Sequence, residues 1–557
     1  MKGKIGVFIC ECGPNIAEKV DVDKIVDEAA ALPGVAFVAK HKLLCSEDGK
    51  KFLKEQIEEH GLTRLVIAAC SPKAHESTFM KVCEEAKCNS HLFQMANIRE
   101  HCAWIVENKE AATEKAIRYV KAAWRRVGYH EPLAKKEIAV NPDVLVIGGG
   151  ITGIEASLLL AHADRKVYLI EKSDALGGKV NEFEKIFKNM ENTADMLAGK
   201  ISDVEKNSAI EVFTNSSIEE VVGFLGNFTV TVNKKGERTE IRTGTIVVAT
   251  GYDSFDPLKA PKYGYGKVDN IYTGREFEVL NKSGKIVGKD GKTPQSVAII
   301  NCVGREEMGY CSGVCCLSSI KFARYIKEKL PETEVVNFYR EMTLPDKGYQ
   351  KFFEDTQEKG VNFIRVKSVT VDNSDKGPMI TWQNDNGDEH RNVDMVILSA
   401  AMTAVNDAET IADMLKISRD ETGFFLEEHQ KLAPVSTATE GVFIAGCAQG
   451  PKNIKESLVQ AGAVAGRILS LLIPGKKLEP EVRTSYISEA YCIGCRMCLE
   501  VCNYGAICFD ALKHVSVVNE IICRGCGNCV GSCPSGAVQT KQFKDIQIHQ
   551  EVVEVLR

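Results

Sequence analysis

The chain has 557 residues, of which 44% are apolar and 26% charged, and it carries a formal net charge of -6. That is length for about three or four domains of ordinary globular composition, and the acidic balance argues against a nucleic-acid partner. No run of about 18 apolar residues occurs, so no membrane span is expected.

Twenty-one cysteines is a high count. The start, Met1-Lys2-Gly3-Lys4 followed by Ile5 to Cys10, is basic, but its apolar core is too short for an export signal. Cysteines in such a chain point to metal and a reducing cytoplasm rather than to disulfides. Oxygen-labile clusters would suit an anaerobe.

Residues 1–130 read as a small α/β domain. Short apolar strands are predicted over 4–10 and 65–69, each ending in cysteine, with helices over 22–32, 49–60 and 111–127. Open α/β sheets place ligands at the carboxyl ends of their strands. Cys10, Cys12, Cys45, Cys70 and Cys102 could converge there on a third cluster site, whereas Cys83 and Cys88 look like core filler.

A flavin domain is expected over 131–480. Its apolar strand runs straight into Gly148-Gly149-Gly150-Ile151-Thr152-Gly153 and then into a helical stretch, 154–163. In such a turn the glycines let backbone approach a pyrophosphate, and the helix N-terminus faces the phosphates. A second strand, 166–170, ends in Glu171, placed to bind a ribose hydroxyl, with Lys172 after it. Three further segments favour FAD over NAD: Leu176-Gly177-Gly178, the strand ending Ala249-Thr250-Gly251, and the late strand ending Ala445-Gly446. Together they resemble the thioredoxin-reductase family of two-dinucleotide flavoproteins. The insertion, about 290–400, departs from that family. Its strand over 296–301 leads into Cys302-Val303-Gly304-Arg305, with no phosphate loop, and Cys311, Cys315 and Cys316 follow. Four cysteines in 15 residues suggest a cluster site, and direct NADH oxidation is not expected.

The last segment, 481–557, holds two Cys-x-x-Cys-x-x-Cys-x-x-x-Cys runs: Cys492, Cys495, Cys498 and Cys502, then Cys523, Cys526, Cys529 and Cys533. The repeat continues as Gly505-Ala506-Ile507 and Gly536-Ala537-Val538. This is two-cluster ferredoxin spacing, in which the fourth ligand comes from the other run. Zinc sites usually stop at paired Cys-x-x-Cys. Cys533 should therefore join the first three cysteines, and Cys502 the second three.

Several motifs together resemble the A-subunit family of heterodisulfide reductase over essentially the whole chain. They are Cys10-x-Cys12-Gly13, Cys45-Ser46, Cys70-Ser71-Pro72 with His75-Glu76, and Asn97-Ile98-Arg99-Glu100-His101-Cys102. Further on come Cys302…Cys311-x-x-x-Cys315-Cys316 and Gly446-Cys447-x-Gln449-Gly450-Pro451-Lys452. The resemblance implies an FAD and iron–sulfur protein that passes electrons among partner subunits, with Gly446, Gln449, Lys452 and Asn453 beside the flavin. Methanogen members carry an extra ferredoxin module before the Ala-Thr-Gly strand. Residues 226–250 here hold no cysteine, so four [4Fe–4S] clusters are expected: one N-terminal, one in the insertion, two C-terminal. Asn453 stands where the family has Asp.

The expected fold class is thus multidomain α/β: a small N-terminal domain, a thioredoxin-reductase-like flavin domain and a two-cluster ferredoxin domain. The expected function is electron bifurcation or confurcation in a cytoplasmic complex. Expected partners are heterodisulfide reductase B/C-like, hydrogenase- or NADH-dehydrogenase-like, ferredoxin or acyl-CoA reductase subunits, the last including class II benzoyl-CoA reductase. A homodimer within the complex is expected. The alternative is a non-bifurcating relay. No catalytic acid–base residue is expected.

Overall fold

Four parallel strands open the chain, and their order across the sheet is Val35–His41, Ile5–Cys10, Arg64–Ala69, Phe93–Asn97. The two central strands are buried at every position, as the continuous apolar runs of a parallel sheet require. The outer strands differ from these. Val35–His41 is half-exposed and opens on five apolar residues before Lys40 and His41, and Phe93–Asn97 is mostly buried but carries Gln94 and Asn97. Helices Val22–Ala30, Glu47–His60, Pro72–Glu85 and Lys109–Val127 cover the sheet. The chain reverses its direction of growth between Ile5–Cys10 and Arg64–Ala69. Cys10 ends one of these strands and Cys70 follows the other, so both stand at the switch point where open α/β sheets place ligands.

This computed structural model describes residues 3–385 and 387–557. They form two compact units, the N-terminal stretch through Ile138 together with Glu479–Arg557, and Ala139–Leu478. In the first unit the last helix, Asp545–Leu556, lies on Lys109–Val127. Arg126 pairs with Glu551, and Arg125 Nε donates to Gln550 Oε1 at 3.0 Å. The amide of Gln547 donates to the Tyr129 carbonyl at 3.0 Å. The duplicated cysteine runs are carried by short helices, Met497–Glu500 and Asn528–Gly531, and by two two-stranded ribbons.

The second unit repeats one architecture twice. Its first half is a five-stranded parallel sheet in the order Val442–Ile444, Thr245–Val248, Val144–Ile147, Val167–Ile170, Ile210–Phe213. The antiparallel meander Ser216–Phe224, Asn227–Lys234, Glu237–Thr243 accompanies it. The inserted half is a five-stranded parallel sheet in the order Ile271–Thr273, Met395–Ala400, Ser296–Val303, Glu334–Tyr339, Val361–Arg365. It has its own meander, Ser368–Ser374, Gly377–Asn384, Gly387–Asn392. A polar seam joins the halves. Arg275 pairs with Glu182 at 2.8 Å, Lys329 with Glu184 at 3.0 Å and Lys185 with Glu328 at 2.9 Å.

Candidate redox centre

The strand Val144–Ile147 delivers the chain into the glycine turn. Gly148 has φ +109°, and a Cβ there would meet the Ala249 carbonyl oxygen at 2.3 Å, so the turn itself demands glycine. A Cβ on Gly153 would stand 1.9 Å from the Gly148 oxygen, so its absence lets the helix Ile151–His162 close on the strand. Gly150 differs. Its φ is −74°, open to any residue, and an added Cβ would meet nothing within 4 Å. Neither backbone nor packing requires glycine at that position. The space it leaves belongs to a cavity of about 1190 Å³ that starts at this turn.

Gly148, Gly150, Glu171, Lys172, Gly177, Gly178, Ala249, Thr250, Gly251, Lys452 and Asn453 line the cavity. Gly153, Gly446 and Gln449 stand behind the lining. Gly446 donates its N–H to Gln460 Oε1 at 2.7 Å, and Gln449 donates to Glu427 Oε2 at 2.9 Å and to the Pro434 carbonyl at 2.8 Å. Glu171 accepts from Gly149 N with one oxygen and from Ser173 N and Oγ with the other, each at 2.7 Å. It thereby fastens the second strand end to the glycine turn. Asn453 caps the helix Ile454–Leu471, its side chain accepting from Glu456 N at 2.9 Å. Two helix N-termini thus face the cavity and present positive dipole ends to an anionic cofactor. The open cradle at Gly150, the phosphate-facing helix and the cavity size fit FAD.

A third helix walls the same cavity. Cys315–Lys329 presents Val314, Leu317, Ser318 and Lys321 to it, one stripe at helical spacing. Lys321 forms a buried ion pair with Glu278, the side chains 5% and 2% exposed. Burial presses the Lys321 ammonium below its ordinary range and pushes the Glu278 carboxyl up, each partly offset by the other. Lys321 also donates to the Lys185 carbonyl at 3.1 Å and lies 4.7 Å from the Phe183 ring centre. One local signal for this pair exists, a lone lysine inside the apolar stretch Ile320-Lys321-Phe322-Ala323; its partner lies 43 residues earlier and cannot be read from spacing.

The first turn of that helix also holds the cysteines of the insertion. Cys315 neighbours Cys302, Cys311 and Cys316, and Cys302 neighbours Cys316. Cys302 sits at φ +63°, in the left-handed region that non-glycine residues rarely adopt. The strand register shifts there, between Ile300 and Val303. Arg305 lies close to Cys302, Cys311 and Cys316. It is held by Glu341 at 2.7 Å. Cys316 donates to the Glu341 carbonyl at 3.6 Å. A hydrogen bond from Cys315 lowers the Cys316 thiol, while Cys315 is raised.

In the N-terminal domain, Glu11 N and Cys12 N donate to the His41 and Lys42 carbonyls at 3.0 and 2.9 Å, tying two loops together. Cys10 neighbours Cys12 and Cys45, and Cys70 neighbours Cys45. Burial raises Cys10 to about 11 and raises Cys70 as well. Arg99 Nη1 lies 3.9 Å from Cys12 Sγ, and its charge also reaches Cys70. Cys102 lies on a π-helical turn, Arg99–Ala103; it is fully buried, and its sulfur faces the Asn97 carbonyl at 4.0 Å.

In the C-terminal domain, Cys492, Cys495, Cys498 and Cys533 line one small apolar hollow with Ile487, Ile493 and Val538. Cys529 neighbours Cys523, Cys526 and Cys502. Backbone N–H groups point at these sulfurs: Ser485 N at Cys523 at 3.4 Å, Ala506 N at Cys502 at 3.3 Å, Gly525 N at Cys523 at 3.5 Å. The first group of sulfurs thus frames a hollow. Among the described residues no three His, Cys, Asp or Glu side chains converge on a single metal-ion position. A cube held at its corners fits such a frame.

Comparison with known proteins follows the same division. Residues 142–461 match the pyridine nucleotide-disulphide oxidoreductase family, and residues 491–537 match the 4Fe-4S dicluster domain. The A subunit of the H(2):CoB-CoM heterodisulfide,ferredoxin reductase of Methanothermobacter marburgensis is 36% identical, the alignment covering 91% of each chain. This chain belongs to the A-subunit family of heterodisulfide reductase. Another relative, the second iron-sulfur A subunit of the CoB--CoM heterodisulfide reductase of Methanopyrus kandleri, is 35% identical over 90% of this chain and 91% of its own length. The alignment to the first runs over 602 positions, more than the 557 residues here, so that relative carries segments this chain lacks. Among solved structures, thioredoxin reductase of Lactococcus lactis is 17% identical, with a TM-score of 0.43 over 59% of this chain and 98% of that one. Membership makes the chain an oxidoreductase component that transfers electrons through FAD and [4Fe–4S] clusters. No helix of the described residues is long and apolar enough to cross a membrane.

Proposed function

We propose that this chain is the flavin-bearing, electron-distributing subunit of a cytoplasmic multi-subunit redox complex, and that it splits or merges electron pairs. Bound FAD would supply the exchange between two-electron and one-electron chemistry. Cys302, Cys311, Cys315 and Cys316 would hold one [4Fe–4S] cluster, and Cys10, Cys12, Cys45 and Cys70 another. Cys492, Cys495, Cys498 and Cys533 would hold a third, and Cys523, Cys526, Cys529 and Cys502 the fourth.

One observation carries this reading. The helix Cys315–Lys329 borders both the flavin cavity and the four-cysteine group, so its first turn separates the two cofactor seats. An electron leaving the flavin has a short protein path to that cluster. The cavity residues have parts to match: Gly150 leaves room for the pyrophosphate, and the Ile454–Leu471 helix turns its positive end to the ring. Lys321 Nζ can hold or release a proton at the cavity wall, poised by Glu278. The ring of ion pairs at the carboxyl end of the inserted sheet, Arg305–Glu341, Arg340–Glu306 and Lys262–Glu306, stands where a nicotinamide domain would have its phosphate loop.

Partners are other redox subunits: heterodisulfide-reducing, hydrogen- or NADH-oxidising, ferredoxin or acyl-CoA-reducing, the last including class II benzoyl-CoA reductase. The protein works as a homodimer within that assembly. A redox titration of the flavin in the purified chain tests the proposal. A pair-splitting flavin gives a single two-electron wave; two well-separated one-electron waves would make it a plain relay.

A further inference from the structure

The two cysteine groups outside the C-terminal domain share a feature. Each has one arginine aimed at its sulfurs and held there by a carboxylate. Arg305 lies beside Cys302, Cys311 and Cys316, with Glu341 fixing its far side at 2.7 Å. Arg99 donates toward Cys12 Sγ at 3.9 Å and faces Cys70, with Glu100 holding it at 2.8 Å and Trp104 stacked 4.9 Å from its guanidinium. The C-terminal sulfurs meet neutral donors instead. Ser485 and Ser535 hydroxyls stand 3.5 and 3.6 Å from Cys529 and Cys533, and the backbone N–H groups of Ser485, Ala506 and Gly525 complete the set. Arg496, beside the first hollow, lays its guanidinium 3.9 Å over the Phe509 ring.

Cluster potential follows net charge and hydrogen bonds to sulfur. Reduction adds one electron to a cluster and breaks no bond, so the reduced state carries one more negative charge. A guanidinium within reach of the sulfurs favours that state, and a charge-assisted N–H···S bond strengthens as electron density rises. Neutral hydroxyl and amide donors do less.

We propose that Arg99 and Arg305 are potential-setting residues that hold the N-terminal and inserted clusters above the two C-terminal clusters in reduction potential. The acceptor beside the flavin is then the easier one to reduce, and the C-terminal pair forms the low-potential end of the chain. This rests on reading the four-cysteine groups as cluster sites, which iron content tests separately.

The experiment is a potentiometric titration of the full chain with dithionite and mediators, followed by electron paramagnetic resonance, on wild type, Arg305→Gln, Arg305→Lys and Arg99→Gln. Losing one charge-assisted bond should lower one cluster's reduction constant about tenfold, ~59 mV for one electron, while the other signals stay in place. The shifted signal should be one of the two that reduce first in wild type. Arg305→Lys, which keeps the charge and loses the fork, should shift less. Full iron in all variants with every midpoint unmoved would overturn the proposal, as would shifts confined to the two clusters that reduce last. Wild-type protein with only about eight irons per chain would instead overturn the four-cluster reading beneath it.

Discussion

The two halves of the central unit are built alike, a five-stranded parallel sheet with a three-stranded meander, yet they end their first strand in opposite ways. In the flavin half, Val144–Ile147 runs into Gly148, Gly150 and Gly153, and the position that faces the cavity, Gly150, is open to a ligand. In the inserted half, Ser296–Val303 carries Cys302 at φ +63° near its end and runs into Gly304 at φ +88°, where an added Cβ would meet the Phe255 ring at 2.5 Å. The equivalent space is filled by protein. A four-residue helix, Arg305–Met308, follows where the other half has twelve residues, Ile151–His162. One fold therefore presents an open cradle in one copy and a group of four cysteines in the other, and the change is confined to a turn. What the sheet conserves is the position of the site at its carboxyl edge; what the turn decides is the chemistry.

Four substitutions break or sharpen this contrast. The largest effect is expected from Gly150→Val, which puts a branched side chain where the pyrophosphate meets backbone. FAD should be lost while iron stays, and full flavin occupancy by absorbance would place the dinucleotide elsewhere. Next, Cys315→Ser should remove the inserted half's cluster, lowering iron by about four per chain and leaving flavin and the C-terminal clusters intact. An unchanged iron count would refute the cage. Lys321→Met, at the wall between the halves, leaves Glu278 buried without its partner and should cost about 3–5 kcal/mol in denaturant unfolding. Adding Glu278→Gln should recover most of that loss, and a double variant as unstable as the single would show that packing rather than charge is at stake.

The smallest effect lies outside both halves and serves as a control. Burial, with Arg126 nearby, holds His130 down to about 3 in the first unit, against an unfolded value of about 6.5. The neutral ring is the folded form, so its contribution is complete above the unfolded value and is lost as pH falls from there toward 3. His130→Phe should flatten the acid side of the stability curve of that unit without altering flavin retention. An unchanged curve would mean the ring is not the group that titrates.

How much of this is legible in the sequence follows from the range of the interactions. The fold class, the flavin turn and the duplicated runs depend on residues close in the chain, and spacing alone exposes them. The N-terminal cysteines show where that stops. Cys102 stands on a π-helical turn, and no local pattern announces such a turn. The outer strand Phe93–Asn97 escapes sequence reading because Gln94 and Asn97 interrupt its short apolar run, whereas Val35–His41, also unread, does open on five apolar residues. The packing of Asp545–Leu556 on Lys109–Val127 joins residues 425 apart, as in Arg125 with Gln550. It makes one unit of what reads as two domains.

The central claim is that the inserted half takes single electrons from the flavin rather than feeding it hydride. It is tested most directly by photoreducing the flavin in the purified chain, free of partners, and freezing samples for electron paramagnetic resonance. A reduced-cluster signal should grow in as the flavin reoxidises, and Cys315→Ser should abolish that fast phase while its C-terminal clusters remain reducible by dithionite. Rapid bleaching of the flavin by NADH in the same partner-free sample, with the fast phase unchanged in Cys315→Ser, would contradict the account.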